Sequence, residues 1–399
     1  MEALQLRIEK LVYGGEGLSR VDGEVLFTPF VLPGELVEAE RTGARHAAER
    51  TELVEVLEPS PARIKPACRY FERCGGCHYQ HLDYPAQVEA KKDILGETLR
   101  RVGKLEIDTS SIAVVSGEPY GYRNRVQFHF DNGRVGFKEM GSNKLVPVES
   151  CPVSSPKINE AITTLNRMVR DKRWPAFLTS MEIFTDEKQV QWNVLATGKP
   201  VAKVFFEWLG KEVPGSVGGA LEYQAGDDYY KVSGASFFQV NRFLIEKLAA
   251  VALEGAAGAS AWDLYSGVGL FTVPMARAFE RVVSVESGRA AASDLESNAH
   301  RAKVKVAVEQ KGTEVFLAGV KEAPDFVLAD PPRAGLGRVV VDQLLELHPK
   351  QLVIVSCDPA TLARDLALLS EKYEVERMTL VDLFPQTFHM ETVAALRLK

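Results

Sequence analysis

Apolar and polar positions divide the chain into stretches of different texture. Over residues 1–59, short alternating runs, LQLRIEKL, GEVLFTPFVL and ELVEAER, are separated by GGEG, VDGE and LPGE. Period-two alternation broken by turn residues predicts short strands, and their spacing predicts a small β-barrel. In Tyr84–Gly103, Val88, Ile94, Leu95 and Leu99 form an apolar stripe, with Pro85 in the first turn and a terminal glycine. That pattern predicts a packing helix. After Tyr120, RVQFHF and RVGFKE alternate on either side of DNG, which predicts a β-hairpin. Residues 152–235 continue as mixed α/β, with strand-like MEIFTDEKQVQWNVLA and FFEWLG.

From residue 237 the texture changes again. SFFQVN predicts a loop leading into a helix, and a series of apolar strands follows. One strand runs into Asp263-Leu264-Tyr265 and a Gly267-x-Gly269 loop. RVVSVE ends at Glu286, DFVLAD ends at Asp330 of DPPR, and QLVIVS runs into Cys357. Unbroken apolar runs are those of parallel strands buried on both faces. Two further strands are expected to close the sheet edge, with Glu391 starting the last. The fold class expected is α/β: a Rossmann-like unit at 237–399, preceded by the barrel (1–59) and a central α+β unit (60–236). Ligands of such sheets bind at the carboxyl ends of the strands. Cys357 therefore stands where a nucleophile would stand, although a lone cysteine is also often a small buried core residue.

Composition narrows the class. With 399 residues, 46% hydrophobic, the chain can bury sizeable cores in two or three domains. The first residues lack an apolar signal-peptide core, and no stretch of ~18 residues is free of charge, so a cytoplasmic location without a membrane span is expected. The net charge of -6 argues against broad nucleic-acid binding but leaves room for a local basic groove. Such a groove is suggested where Arg123, Arg125, Arg134, Lys138 and Lys144 interleave with Tyr122, Phe128, Phe130 and Phe137. Cations for phosphates and aromatics for bases are what single-stranded RNA recognition uses, and Arg123, Arg125 and Phe128 are the candidate contacts. An ordinary amphipathic hairpin with a solvated charged face fits the same pattern.

Three of the five cysteines form Cys68-x5-Cys74-Gly-Gly-Cys77. This is metal-ligand spacing, and Cys151 is the candidate fourth ligand. Four thiolates suit a structural zinc or an iron–sulfur cluster. The absence of a second CxxC pair tilts the reading to iron–sulfur.

GGEGLSR followed by VLFTPFVLPGELVEAE resembles the TRAM domain, a small RNA-binding barrel of RNA-modifying enzymes. Its six Lys/Arg against eleven Asp/Glu over residues 1–57 depart from a basic RNA-binding surface. The ordered series GYRNR, SFFQVN, DLYSGVG, DPPRAG, SCDPATLARDL and FPQTFHMETV resembles the RNA 5-methyluridine methyltransferases that use S-adenosylmethionine. The resemblance implies a 4Fe-4S cluster on Cys68, Cys74, Cys77 and Cys151. It implies cofactor contacts from Gln239, Tyr265, Gly267, Glu286 and Asp330, with Cys357 as nucleophile and Glu391 as proton acceptor. Leu270 departs from the family, which often has a polar residue just after the glycine loop. The substrate implied is a uridine in RNA, 23S ribosomal RNA before transfer RNA, with a monomer as the default and no obligate protein partner. A rival class is a catalytically idle, cluster-containing RNA-binding or redox-sensing protein.

Overall fold

The computed structural model describes residues 3–45 and 48–399. Six strands form the first sheet: β1 (Ala3–Arg7), β2 (Lys10–Leu11), β3 (Glu16–Val21), β4 (Glu24–Pro29), β5 (Leu36–Arg45) and β6 (Ala48–Glu58). They pair in the order β1-β5-β6-β4-β3-β2 as a curled half-barrel around Leu6, Ile8, Leu26, Val31 and Val37. The buried Glu35 ties the sheet to the following segment. It accepts from the amides of Leu32 and Ser60 and from Arg63 Nε and Nη2, at 2.5–3.1 Å.

α1 (Tyr84–Gly103) begins where Asp83 accepts from the Ala86 amide at 2.8 Å and ends at Lys104 in the left-handed conformation. β7 (Ala113–Val115) follows. A second sheet contains β8 (Arg125–Asp131), β9 (Arg134–Lys138), β10 (Leu145–Pro147), β11 (Leu178–Thr185), β12 (Val190–Thr197) and β13 (Ser216–Val217), in the order β10-β9-β8-β11-β12-β13. α2 (Pro156–Met168) and α3 (Lys203–Glu212) cover it, burying Phe128, Ile162, Leu165 and Phe205. FFEWLG therefore lies in a helix, not a strand. Its aromatic content favours β structure, but the buried Phe205 and Leu209 are one helical turn apart. β14 (Leu221–Ala225) and β15 (Asp228–Val232) form a separate hairpin.

The remaining elements are α4 (Ile245–Leu253), β16 (Ser260–Leu264), α5 (Thr272–Ala278), β17 (Arg281–Val285), α6 (Arg289–Arg301), β18 (Ala307–Glu309), α7 (Thr313–Ala318), β19 (Phe326–Ala329), α8 (Gly337–Leu347), β20 (Gln351–Ser356), α9 (Pro359–Leu369), β21 (Tyr373–Val381) and β22 (Glu391–Leu398). Their strands join β7 in one sheet, ordered β18-β17-β16-β19-β20-β22-β21-β7. The strands from β18 to β20 run parallel, and β22 runs antiparallel between β20 and β21. Neighbouring residues of one strand enter opposite cores: Leu352 and Ile354 face one, Val353 and Val355 the other. Both faces are covered, which is why these strands read as apolar runs. α1 packs on α9, where a Cβ on Gly103 would sit 2.8 Å from the Ala363 carbonyl. The strand starting at Glu391 is interior, and the edge expected there is closed by β7 instead. Among the described residues, no helix is long and apolar enough to cross a membrane.

Candidate active site

The site grows from the carboxyl ends of adjacent strands. β16 leads into Tyr265, whose φ of 63° is unusual for a residue with a side chain. Gly267 and Gly269, at φ 54° and 94°, complete the turn before α5. Glu286, just past β17, pins this loop: its Oε2 accepts from the Gly267 amide at 2.9 Å and its Oε1 from the Gly288 amide at 2.6 Å. Asp330 follows β19, and Cys357 follows β20. Asp358 caps α9 by accepting from the Ala360 and Thr361 amides at 2.9 and 3.0 Å, which fixes the backbone beside the thiol.

The register of β20 with β22 pairs Ser356 with Thr392, so the next step opposes Cys357 and Glu391. Gln239, Tyr265, Gly267, Glu286, Asp330, Cys357 and Glu391 all line one cavity of about 470 Å³. Arg123, Arg333, His389 and the exposed Phe237 line it too. Local sequence carried no signal that assigned roles to Arg333, His389 or Phe237. Tyr13 was equally hidden: its hydroxyl donates to the Cys357 carbonyl at 3.4 Å across 344 positions.

This pocket favours protonated forms. Burial, with Glu391 adding to the rise and Arg333 opposing it, pushes the Cys357 thiol up to about 11. Burial lifts Asp330 to about 7 and takes Glu391, only 4% exposed, well above the usual carboxylate range, with Asp330 adding to the rise. Asp263, beneath the glycine loop, is also raised to about 7 by burial, although Thr272 Oγ1 donates to it at 2.5 Å. Burial holds His389 near 3, a neutral imidazole.

The four other cysteines surround a neighbouring cavity of about 440 Å³ that shares Arg123 with the first. The Tyr70 amide donates to Cys68 Sγ at 3.4 Å. The Cys151 backbone is fixed on both sides by Asn159, at 2.8 and 3.0 Å. Burial pushes Cys74 up to about 11 and Cys77 to about 12. Among the described residues, no group of three or more His, Cys, Asp or Glu is arranged to hold a metal ion. The segment is also not remote from the pocket. The His78 ring lies 4.6 Å from Phe388, and the His78 and Tyr79 amides donate to the Gln386 carbonyl at 2.8 and 3.0 Å.

Two of the candidate RNA contacts are corrected. Phe128 is fully buried in the core beneath α2, stacked 5.8 Å from Phe137. The alternation that marks the hairpin sends its aromatics to the covered face. Arg125 is also buried: it lies 4.2 Å over the Phe184 ring and donates to the Ser236 carbonyl at 3.0 Å. With Asn124, whose side chain donates to the Gln239 carbonyl at 3.3 Å, it braces the SFFQVN segment. Arg123 alone of the three reaches the cavity wall.

Known proteins share this architecture. The family model described as tRNA (Uracil-5-)-methyltransferase matches residues 216–399. An uncharacterized RNA methyltransferase of Aquifex aeolicus is 36% identical, covering 99% of this chain and 99% of that protein. The 23S rRNA (uracil(1939)-C(5))-methyltransferase RlmD of Marinomonas sp. is 31% identical, covering 98% of this chain and 94% of that protein. Among solved structures, Pyrococcus abyssi tRNA (uracil-54, C5)-methyltransferase in complex with S-adenosyl-L-homocysteine superposes with a TM-score of 0.79 and 25% identity, covering 98% of this chain and all of that one. The fold is that of class I methyltransferases, and the chain belongs to the RNA (uracil-5-)-methyltransferase family.

Proposed function

We propose that the protein methylates carbon 5 of a uridine in RNA, through a covalent adduct between Cys357 and carbon 6 of the base. The observation that carries the reading is the opposition of Cys357 and Glu391 in one cavity with the glycine loop, Glu286 and Asp330. Gln239, Tyr265, Gly267, Glu286 and Asp330 would hold S-adenosylmethionine. When bound, it supplies an electrophilic methyl group and a sulfonium charge that favours the ionised forms of Cys357 and Glu391.

The Cys357 thiol loses its proton to solvent at the pocket mouth. The thiolate adds to carbon 6, and the carbon 5–carbon 6 π electrons pass into an enolate that is nucleophilic at carbon 5. Carbon 5 takes the methyl group, leaving the methyl–sulfur electron pair on the former sulfonium sulfur as a neutral thioether, and becomes tetrahedral, still bearing its hydrogen. The Glu391 carboxylate takes that proton, the carbon–hydrogen electrons restore the double bond, and the carbon–sulfur bond breaks to return the thiolate. The raised pKa of Glu391 suits a base that must hold the proton once it is taken. The target base must leave its stack to enter the cavity, at a cost of a few kcal/mol.

We infer that Cys68, Cys74, Cys77 and Cys151 would hold a 4Fe-4S cluster rather than zinc, since among the described residues no three such ligands close on a single ion position. A single tetrahedral zinc draws its four sulfurs to about 2.3 Å from one point. Here the thiols stand around a cavity, with an amide directed at Cys68 Sγ. When bound, the cluster would cross-link these segments, and no step passes through it. Anaerobically purified protein is expected to be brown, and a colourless protein with stoichiometric zinc would overturn the assignment.

The substrate assigned is 23S ribosomal RNA, supported by the relative named for that activity over nearly its full length. The test uses methyl-tritiated S-adenosylmethionine and RNA from cells lacking the protein, separated into ribosomal and transfer fractions. Label is expected in 5-methyluridine of the 23S fraction, and none with Cys357→Ala. Undiminished transfer by that variant would sink the nucleophile assignment, and label confined to transfer RNA would move the substrate.

A further inference from the structure

Residues 382–390 connect β21 to β22 and bring Phe384 and His389 into the cavity ahead of Glu391. The segment has little regular structure, yet four consecutive carbonyls are each taken by a distant donor. Leu383 O accepts from Asn241 Nδ2 at 3.0 Å, and Phe384 O from Lys91 Nζ at 2.9 Å. Pro385 O accepts from the Tyr122 hydroxyl at 3.0 Å, and Gln386 O from the His78 and Tyr79 amides. Gln386 sits at φ 68°. Its amide donates to Gln87 Oε1 at 2.9 Å, and its Oε1 accepts from Gln87 Nε2 at 3.0 Å. A residue with a side chain keeps that conformation only where its surroundings over-determine it.

Two of the clamping groups lie one turn apart on α1. Gln87 and Lys91 are both fully buried, and Lys91 Nζ also pairs with Asp382 Oδ1 at 2.6 Å, with neither side chain exposed. A buried ion pair contributes little to net stability, and apolar replacement of both members is often neutral or stabilising. The ammonium instead acts geometrically, fixing the first residue of the segment and the carbonyl of the third to the same point of α1.

We propose that Gln87 and Lys91 are positioning residues of the methyl transfer, holding the 382–390 segment so that Glu391 stays opposite Cys357. This rests on the reading of Glu391 as proton acceptor. Cys357 is held separately, by β20 and the capped start of α9. Loosening the segment therefore leaves thiolate addition and methyl transfer in place and slows proton removal. The carbon 6–sulfur bond then cannot break, and methylated RNA stays joined to the protein.

The experiment compares the wild type, Glu391→Gln, Gln87→Met and the double variant Lys91→Met/Asp382→Leu. Each is given methyl-tritiated S-adenosylmethionine and RNA from cells lacking the protein, treated with nuclease and run on a denaturing gel. Melting temperatures are measured in parallel. The double variant is expected to melt close to the wild type. Its kcat should fall on the order of 10²-fold, the scale of a misplaced catalytic group, with KM falling alongside so that kcat/KM changes little, and label should accumulate in the protein band as in Glu391→Gln. Gln87→Met, which leaves the ion pair intact, should accumulate label even if the double variant fails to fold. Wild-type turnover without adduct in a folded clamp variant would overturn the inference while leaving the Glu391 reading intact. Wild-type turnover in Glu391→Gln would overturn that reading itself.

Discussion

Replacing Glu391 by glutamine should make Cys357 a more reactive thiol in the absence of cofactor. With its pKa near 11, the Cys357 thiol at pH 8 is ionised in about one molecule in a thousand. A free cysteine with pKa ~8.5 is about one quarter ionised at that pH. Alkylation by iodoacetamide should therefore run roughly 200-fold below a free thiol and climb about tenfold per pH unit between pH 7 and 10. Glu391 is the neighbouring charge that adds most to the rise. Residues directly opposed across strands have Cβ atoms about 5 Å apart, where two like charges at an effective dielectric of about 20 repel by about 3 kcal/mol. Above the pH at which Glu391 ionises, the glutamine variant should lower the thiol pKa by roughly two units and speed alkylation about 100-fold. Arg333→Gln, which removes the charge that lowers the thiol pKa, should slow it. The assay is peptide-resolved mass spectrometry, so that the other four cysteines are counted separately. A rate that levels off below pH 9, or two substitutions that shift it in the same direction, would refute the electrostatic account.

Burial sets two further outcomes. Asp263 titrates near 7 in the fold and near ~3.9 unfolded, so the native state binds the extra proton between these values. Its contribution is complete below pH 4 and lost as pH rises through 7, so Asp263→Asn should reduce the loss of stability between pH 5 and 8 by about 2–4 kcal/mol in urea denaturation; an unchanged slope would count against it. Phe128→Ala should cost about 3–5 kcal/mol, since the ring is fully buried. Where the protein remains folded its KM for RNA should be unaltered, and a raised KM without loss of stability would restore Phe128 to the RNA surface.

Much of the architecture was legible because it rests on local physics. The helix at 84–103 has its cap, its proline and its stripe within twenty residues. The apolar run Gln351–Ser356 is what a strand covered on both faces must be. The glycine loop, Glu286, Asp330 and Cys357 could be ordered along the chain because each directly follows a strand. The cations and aromatics interleaved over residues 122–144 misled for the opposite reason. Arginines and aromatics that alternate look the same whether they face RNA or a core, and here Phe128 and Arg125 face protein.

Apart from FFEWLG, the sequence alone determined which of the long periodic segments would be strands or helices and which residues would stand at their ends. Periodicity and capping are set by neighbours a few positions apart. Only the tertiary structure decided that β22 lies inside the sheet, opposing Glu391 to Cys357. It also decided that Gln87 and Lys91 reach segment 382–390 from almost 300 positions away. Strand order and such contacts depend on which distant surfaces bury one another, and an apolar run reads alike beside any partner.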